Sequence, residues 1–140
     1  MSEIKVKYLG DLRTESTHLD SGHKIITDAP LDNEGLGRKF SPTDLLASSL
    51  ASCLLTIMGI VAKRHSIDML DSTANVVKTM LENPRRIAKL DIDISMPKEI
   101  AEKNLVILKR AIDFCPVHAS LNEDIAVSYT HLTLPTILLV

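Results

Sequence analysis

The feature that most constrains this chain is the run from Leu45 to Ala62, which carries no charged side chain over 18 residues. That length lies at the lower edge of what a transmembrane helix needs. Hydroxyl side chains interrupt the run, and no aromatic belt flanks it as membrane spans are flanked. We therefore expect a helix that is buried on nearly all sides of a soluble protein, with no membrane partner.

The residues around this run predict where the helix begins and ends. Ser41 precedes Pro42, and Asp44 follows three residues after the serine. A serine at the N-cap, a proline at the first helical position and an acidic residue reaching back form a capping box. The basic residues near position 64 suit the negative end of the helix dipole, so we expect the helix to end there.

The remaining elements follow from hydrophobic alternation and turn residues. Residues 4–9 and 24–27 have the pattern of two strands in an N-terminal hairpin, and residues 28–39 have the composition of a long loop. Residues 73–81 predict a strand, followed by a turn at 82–85. The next run alternates cleanly and predicts a half-buried antiparallel strand whose inward residues are Ala88, Leu90, Ile92, Ile94 and Met96.

A second helix is predicted after this strand. Pro97 is expected to open it and Pro116 to stop it. Its apolar positions follow one helical face, namely Ala101, Leu105, Leu108, Ile112 and Cys115. A last strand is predicted from the alternation of Ile125, Val127 and Tyr129. The elements together indicate one α+β domain.

Composition excludes several classes of protein. The 140 residues suffice for one domain, and a net charge of −2 with 3% aromatic residues disfavours nucleic-acid binding. The N-terminus has no signal-peptide pattern, which favours a cytoplasmic protein. Residues 130–140 are uncharged and end in an apolar run, so we expect either that they pack against a partner or that they are not native sequence.

The two cysteines are the candidate reactive residues. Cys53 lies in the middle of the uncharged helix, and Cys115 precedes a proline turn that also holds His118. Two cysteines are too few for a disulfide scaffold, and the chain lacks the His and Cys spacings of a structural zinc site. Taken alone, the surroundings of the two cysteines favour simple packing in the core over reactivity.

Two motifs in order resemble the OsmC/Ohr family of osmotically inducible and organic hydroperoxide resistance proteins. The first runs from Phe40 to Cys53 (FSPTDLLASSLASC), and the second from Phe114 to Leu121 (FCPVHASL). The resemblance extends to about Tyr129, so we assign residues 1–129 to an OsmC-like domain and leave 130–140 as a tail of doubtful origin. The family fold implies N-terminal antiparallel strands, a buried central helix, a β-hairpin, a second helix and a last strand, in an intertwined homodimer.

The resemblance implies a thiol peroxidase that reduces organic hydroperoxides. Cys53 would attack the peroxide and become a sulfenic acid, and Cys115 would resolve it as a disulfide that an external dithiol reduces, with no other cofactor. In the family, an arginine paired with an acidic residue supports the first cysteine. Asp44 matches the acid position of one branch, and Arg13 or, as second choice, Arg38 would be the arginine.

Two other functions remain open from the residues alone. The chain could be a dimeric module that binds a small apolar ligand, or one that senses redox state, without peroxidase turnover. A thiol-dependent hydrolase is disfavoured, because His118 is near Cys115 and not near Cys53 in sequence, so no catalytic triad can be argued.

Overall fold

The computed structural model describes residues 1–133, with side chains described as far as Tyr129. The chain divides into two compact units, one spanning Met1–Leu46 and a second that begins at Ala47. The predicted order of elements, strands followed by a long helix, a hairpin, a shorter helix and a last strand, is confirmed. The assignment of 130–140 to a separate tail stays a prediction: the last strand continues to residue 133, and 134–140 lie outside the described residues.

The first unit is built on a three-stranded antiparallel sheet. Its strands are β1 (Ile4–Gly10), β2 (Arg13–His18) and β3 (Lys24–Asp28), in that spatial order. The expected hairpin of residues 4–9 with 24–27 is wrong, because β2 pairs with both strands and separates them. β2 has the sequence RTESTH, which contains no large apolar residue and therefore gives no alternation signal.

The residues between β3 and the long helix form the predicted loop. It contains one 3₁₀ turn, at Leu31–Asn33, and is otherwise irregular. Two features of this loop keep it close to the strands. The backbone N–H of Asp28 donates to Phe40, and that of Gly37 donates to Ala29. The loop is therefore folded back on the end of β3.

Helix α1 spans Pro42–Arg64, and its predicted start and end are confirmed. The backbone N–H of Ser41 donates to Oδ2 of Asp44 at 3.0 Å, and the backbone N–H of Asp44 donates to Oγ of Ser41 at 3.1 Å. Both hydrogen bonds of a capping box are present. They satisfy donors that a helix start would otherwise leave without partners.

Burial of α1 is narrower than we expected. One stripe of the helix is buried, comprising Ala47, Leu50, Ala51, Leu54, Met58 and Ala62. Ile60 is 43% exposed, and only 33% of the most apolar 18-residue window is buried. By length and composition α1 is the one helix of the described residues that could cross a membrane. Within a single chain the helix is thus covered on one side, because too few elements are available to surround it.

The second unit contains a mixed three-stranded sheet. β4 (Thr73–Leu81) pairs antiparallel with β5 (Arg86–Ser95), and β5 pairs parallel with β6 (Ala126–Thr133). A parallel pair requires a crossover connection, and helices α2 (Glu102–Arg110) and α3 (Pro116–Ala119) lie in it. β5 is therefore the central strand. The predicted antiparallel pairing holds for its neighbour β4, whereas its pairing with β6 is parallel.

Two details of the second unit depart from the sequence pattern. A register shift opposite Thr79 and Met80 leaves Ala88 half-buried and turns Ile87 into the core. Helix α2 begins at Glu102 instead of at Pro97, because residues 97–100 form a turn and the backbone of Ala101 is extended. Ala101 is consequently exposed, whereas the end of the predicted stripe, Leu108, Ile112 and Cys115, is buried as expected.

Candidate functional site

The structure brings the two cysteines together from separate elements. Cys53 lies in the middle of α1 and is partly exposed, whereas Cys115 is 2% exposed and is the N-cap of α3. Both are free thiols. Burial raises the pKa of the Cys115 thiol, and the neighbouring Cys53 side chain raises it further. The two cysteine side chains therefore lie near each other.

The backbone around Cys115 partly opposes this rise. The backbone N–H of His118 donates to Sγ of Cys115 at 3.5 Å, and the backbone N–H groups of Val117 and His118 lower the pKa of the thiol. The geometry follows from Pro116, since the residue before a proline is extended and its side chain can cap the turn that the proline starts. The net direction is still upward, so Cys115 is held as a neutral thiol.

A polar pair adjoins Cys115. The hydroxyl of Tyr129 on β6 lies 2.6 Å from Nδ1 of His118 on α3. Burial raises the pKa of Tyr129 to about 12, with smaller contributions from Cys115, Asp113 and Cys53, the cysteines contributing at the alkaline pH where they have lost their protons. The tyrosine is therefore a neutral hydrogen-bonding group at physiological pH. Hydrophobic alternation in the sequence predicts that Tyr129 lies on a strand. No pattern in the sequence predicts that this strand lies beside α3.

A cavity opens beside α3. Its volume is about 470 Å³, and Cys115 and His118 form part of its wall. The rest of the lining combines carboxylate side chains with apolar ones, including Asp113, Glu123, Leu121 and Ile125. No sequence signal pointed to this cavity, because it depends on how the residues after α3 turn back towards β6. It gives a small molecule or an extended side chain access to the environment of Cys115.

In the first unit, Arg38 forms an ion pair with Asp28. Its Nε donates to Oδ2 of Asp28 at 2.6 Å, its backbone N–H donates to the same oxygen at 3.0 Å, and Nη2 lies 3.3 Å from Asp11. The Asp28 side chain is fully buried, and the hydrogen bond from Arg38 lowers its pKa to about 2 despite that burial. Arg38 thus neutralises a buried carboxylate, and sequence reasoning did not identify Asp28 as its partner.

Arg13 lies close to the same carboxylate, but part of its guanidinium has no hydrogen-bond partner among the described residues. It opens β2 directly opposite Asp28 on β3, and its charge also lowers the pKa of Asp28. The Nε atom of Arg13 is buried and has no hydrogen-bond partner within the part of the chain that the structure describes. A buried guanidinium donor without an acceptor is costly, so such a group is a candidate for binding a ligand.

Asp44 caps the N-terminus of α1. Its carboxylate accepts the backbone N–H of Ser41, as the capping box requires. Its predicted contribution to the reactivity of Cys53 stays a prediction. Among the described residues, no group of three or more His, Cys, Asp or Glu side chains is arranged to hold a metal ion.

The sequence matches the family model for OsmC-like proteins over residues 35–130. The chain belongs to the OsmC/Ohr family. A candidate osmotic stress induced and detoxification response protein of Psychrobacter arcticus 273-4 is 48% identical to this OsmC-like chain. Its crystal structure superposes with a TM-score of 0.86, covering 92% of this chain and 94% of that one. The curated proteins include no match.

More distant relatives share the fold. The OsmC-like protein of Mycoplasma pneumoniae is 21% identical, with a TM-score of 0.76 and 96% coverage of both chains. The organic hydroperoxide resistance protein OhrB of Bacillus subtilis is 18% identical, with a TM-score of 0.65, covering 96% of this chain and 97% of that one. These likenesses confirm the α+β OsmC-like fold that the two motifs predicted.

Proposed function

We propose that this OsmC-like protein is a cysteine-based peroxidase that reduces organic hydroperoxides in oxidative stress defence. The observation that carries the proposal is that Cys53 on α1 lies near enough to the buried Cys115 at the start of α3 to raise the pKa of its thiol. The names of relatives, such as the organic hydroperoxide resistance protein OhrB, support a hydroperoxide as the substrate class.

The chemistry proceeds in two balanced steps. The thiolate of Cys53 attacks the outer peroxide oxygen, so that an S–O bond forms, the O–O bond breaks and the alkoxide takes a proton to leave as an alcohol. Cys115 then attacks the sulfur of the Cys53 sulfenic acid, which forms the disulfide and releases water with the proton of Cys115. Partly exposed Cys53 suits the first role, and buried Cys115 suits the second.

We assign the supporting guanidinium to Arg13, ahead of Arg38. Arg38 is neutralised by Asp28 and Asp11, whereas Nε of Arg13 is buried without a partner in the described chain. A free guanidinium donor can bind a peroxide oxygen and stabilise a thiolate. Asp44 would support this arrangement from the start of α1, in addition to its capping role.

The protein would act as a cytoplasmic homodimer that needs an external dithiol and no bound cofactor. The less buried side of α1 supports a dimer, because Ile60 is exposed and Leu55, Ile57 and Val61 are only half-buried in a single chain. The competing function is an OsmC-like protein that binds a small apolar ligand or senses redox state without turning over peroxide.

Exposing the reduced protein to one equivalent of cumene hydroperoxide, followed by peptide mass mapping, tests the proposal. We expect a Cys53 to Cys115 disulfide that a dithiol reverses. Cys53→Ser should abolish peroxide consumption, whereas Cys115→Ser should complete one turnover and accumulate sulfenic or overoxidised Cys53. Ser52→Ala, which changes an exposed neighbour on α1, is the matched control. Two thiols that survive unchanged would favour the ligand-binding function.

Arg13→Ala and Arg38→Ala distinguish the two arginines. We expect Arg13→Ala to lower kcat/KM for the organic hydroperoxide by at least about ten-fold, in the range seen when a charged group that supports a transition state is removed. Arg38→Ala should chiefly lower the melting temperature, since it leaves buried Asp28 without its main partner. Equal loss of activity in both variants at a temperature where both are folded would contradict the assignment.

A further inference from the structure

Helix α3, which carries Cys115 at its N-cap, is too short to hold its own shape. It spans only Pro116–Ala119, and a single turn is not stable by itself because forming it fixes several residues for one hydrogen bond. At its end, the hydroxyl of Ser120 donates to the backbone carbonyl of Pro116 at 2.8 Å. That bond lies within the turn, so the position of Cys115 depends on contacts that α3 makes with other elements.

One side chain of α3 is bonded to the sheet of the second unit. Nδ1 of His118 lies 2.6 Å from the hydroxyl oxygen of Tyr129, and the centres of the two rings are 5.8 Å apart. Tyr129 lies on β6 directly opposite Ile92 of the central strand β5, and Ile92 is completely buried. The tyrosine is therefore held by the core of the sheet, and its hydroxyl gives α3 a fixed point.

The same residue of α3 also contacts the sulfur atom. The backbone N–H of His118 donates to Sγ of Cys115 at 3.5 Å, so His118 links the hydroxyl of Tyr129 to the thiol. An N–H donor at a sulfur atom favours the thiolate form and fixes the direction of the side chain. A bond that fixes the ring of His118 therefore also fixes a hydrogen-bond donor at Cys115.

In the second step of the proposed function, on which this inference rests, Cys115 has to lose its proton and face the sulfur of Cys53. We propose that Tyr129 and His118 form a positioning pair that orients Sγ of Cys115 for this attack. In the step itself the S–S bond forms, the S–O bond of the sulfenic acid breaks, and water leaves with the proton of Cys115. Tyr129 and His118 exchange no atom with the reacting groups and act through the position of the sulfur.

The attack by Cys115 can be measured without peroxide. One equivalent of methyl methanethiosulfonate converts the partly exposed Cys53 into a methyl disulfide and releases methanesulfinate. Cys115 then attacks the sulfur of Cys53, which forms the Cys53–Cys115 disulfide and expels methanethiolate. Acid quenching followed by intact-mass measurement gives the rate of each step, because the first step adds a methylthio group and the second removes it.

Removing the tyrosine hydroxyl should affect only the second of these steps. We expect Tyr129→Phe to slow the second step by roughly three- to ten-fold, as the loss of one hydrogen bond allows, and to leave the first step unchanged. Tyr8→Phe, which removes the hydroxyl of the other tyrosine, an exposed one on β1, should change neither step. An unchanged second step in Tyr129→Phe, equal slowing of both steps, or no release of methanethiol by the unchanged protein would overturn the proposal.

Replacing His118 separates positioning from a general loss of packing. Asparagine places an amide atom where Nδ1 of histidine stands, whereas glutamine places its amide one bond further from the backbone. We expect His118→Asn to retain most of the rate of the second step, and His118→Gln to slow it as much as Tyr129→Phe does. Combining Tyr129→Phe with His118→Gln should cause no further loss, because both changes break the same bond. Equal rates in His118→Asn and His118→Gln would contradict the positioning role.

The positioning pair and the proposed function fail separately, because methyl methanethiosulfonate starts the reaction without peroxide. A protein that consumes no peroxide but releases methanethiol more slowly in Tyr129→Phe would contradict only the peroxidase. A protein that consumes peroxide and releases methanethiol equally fast with and without the Tyr129 hydroxyl would contradict only the positioning pair.

Discussion

At the scale of single residues, the environment of each charged or nucleophilic group separates residues that look alike in sequence. Arg13 and Arg38 are both arginines near the N-terminal strands, but only Arg38 makes an ion pair with the buried Asp28. Cys53 and Cys115 are both cysteines in apolar surroundings, but Cys53 is partly exposed, whereas Cys115 is buried and that burial raises the pKa of its thiol. Their proposed roles follow from these differences.

The Asp28 carboxylate should make the stability of the protein depend on pH. Its pKa is about 2 in the folded protein and 3.8 in its ordinary state, so its contribution to the free energy of unfolding is complete above about pH 4. That contribution is lost as the pH falls from about 4 through 2. The difference in urea midpoint between the unchanged protein and Asp28→Asn should therefore shrink over this range, and Asp20→Asn, an exposed change, should show no such trend.

At the scale of elements, α1 is specified at its ends by local chemistry and along its length by burial. The capping box of Ser41 and Asp44 starts the helix, and the buried stripe packs it into the second unit's core. The start of α1 could be predicted from the sequence because the two capping residues, Ser41 and Asp44, are only three residues apart. The start of α2 was predicted wrongly at Pro97. The helix begins at Glu102, after a turn that buries Ile100.

Removing the cap should destabilise the protein by a modest amount. Ser41→Ala deletes the oxygen that accepts the backbone N–H of Asp44, and the loss of such a cap costs about 1 kcal/mol. Ser52→Ala, which removes an exposed hydroxyl further along α1, should change the free energy of unfolding by less than about 0.5 kcal/mol. Urea unfolding measures both variants, and equal values would contradict the capping interpretation.

At the scale of the whole molecule, apolar surface is left uncovered in a single chain. Ile4, Val6 and Tyr8 alternate along β1 and are each about 60% exposed, and β1 is an edge strand of its sheet. Long apolar edges and half-covered helices are usually protected by another chain. This pattern supports the homodimer that the family resemblance predicted.

The dimer is tested by placing a charge on this edge. Light scattering should give a mass of twice 15.4 kDa for the unchanged protein, and Val6→Glu should shift the mass towards that of a monomer. Lys5→Gln, on the other side of β1, also lowers the net charge by one and is the matched control. A monomeric mass for the unchanged protein at micromolar concentration would contradict the dimer.

The sequence by itself determined the family, the order of most elements, the limits of α1 and the two cysteines. These features rest on short-range patterns, namely capping residues, alternation and motifs, which one segment of chain carries alone. Only the tertiary structure decided that β2 lies between β1 and β3, that β6 runs parallel to β5, and that Tyr129 meets His118 beside Cys115. Each of these contacts joins residues on separate elements, and their pairing depends on how the sheets and helices pack, which no local pattern records.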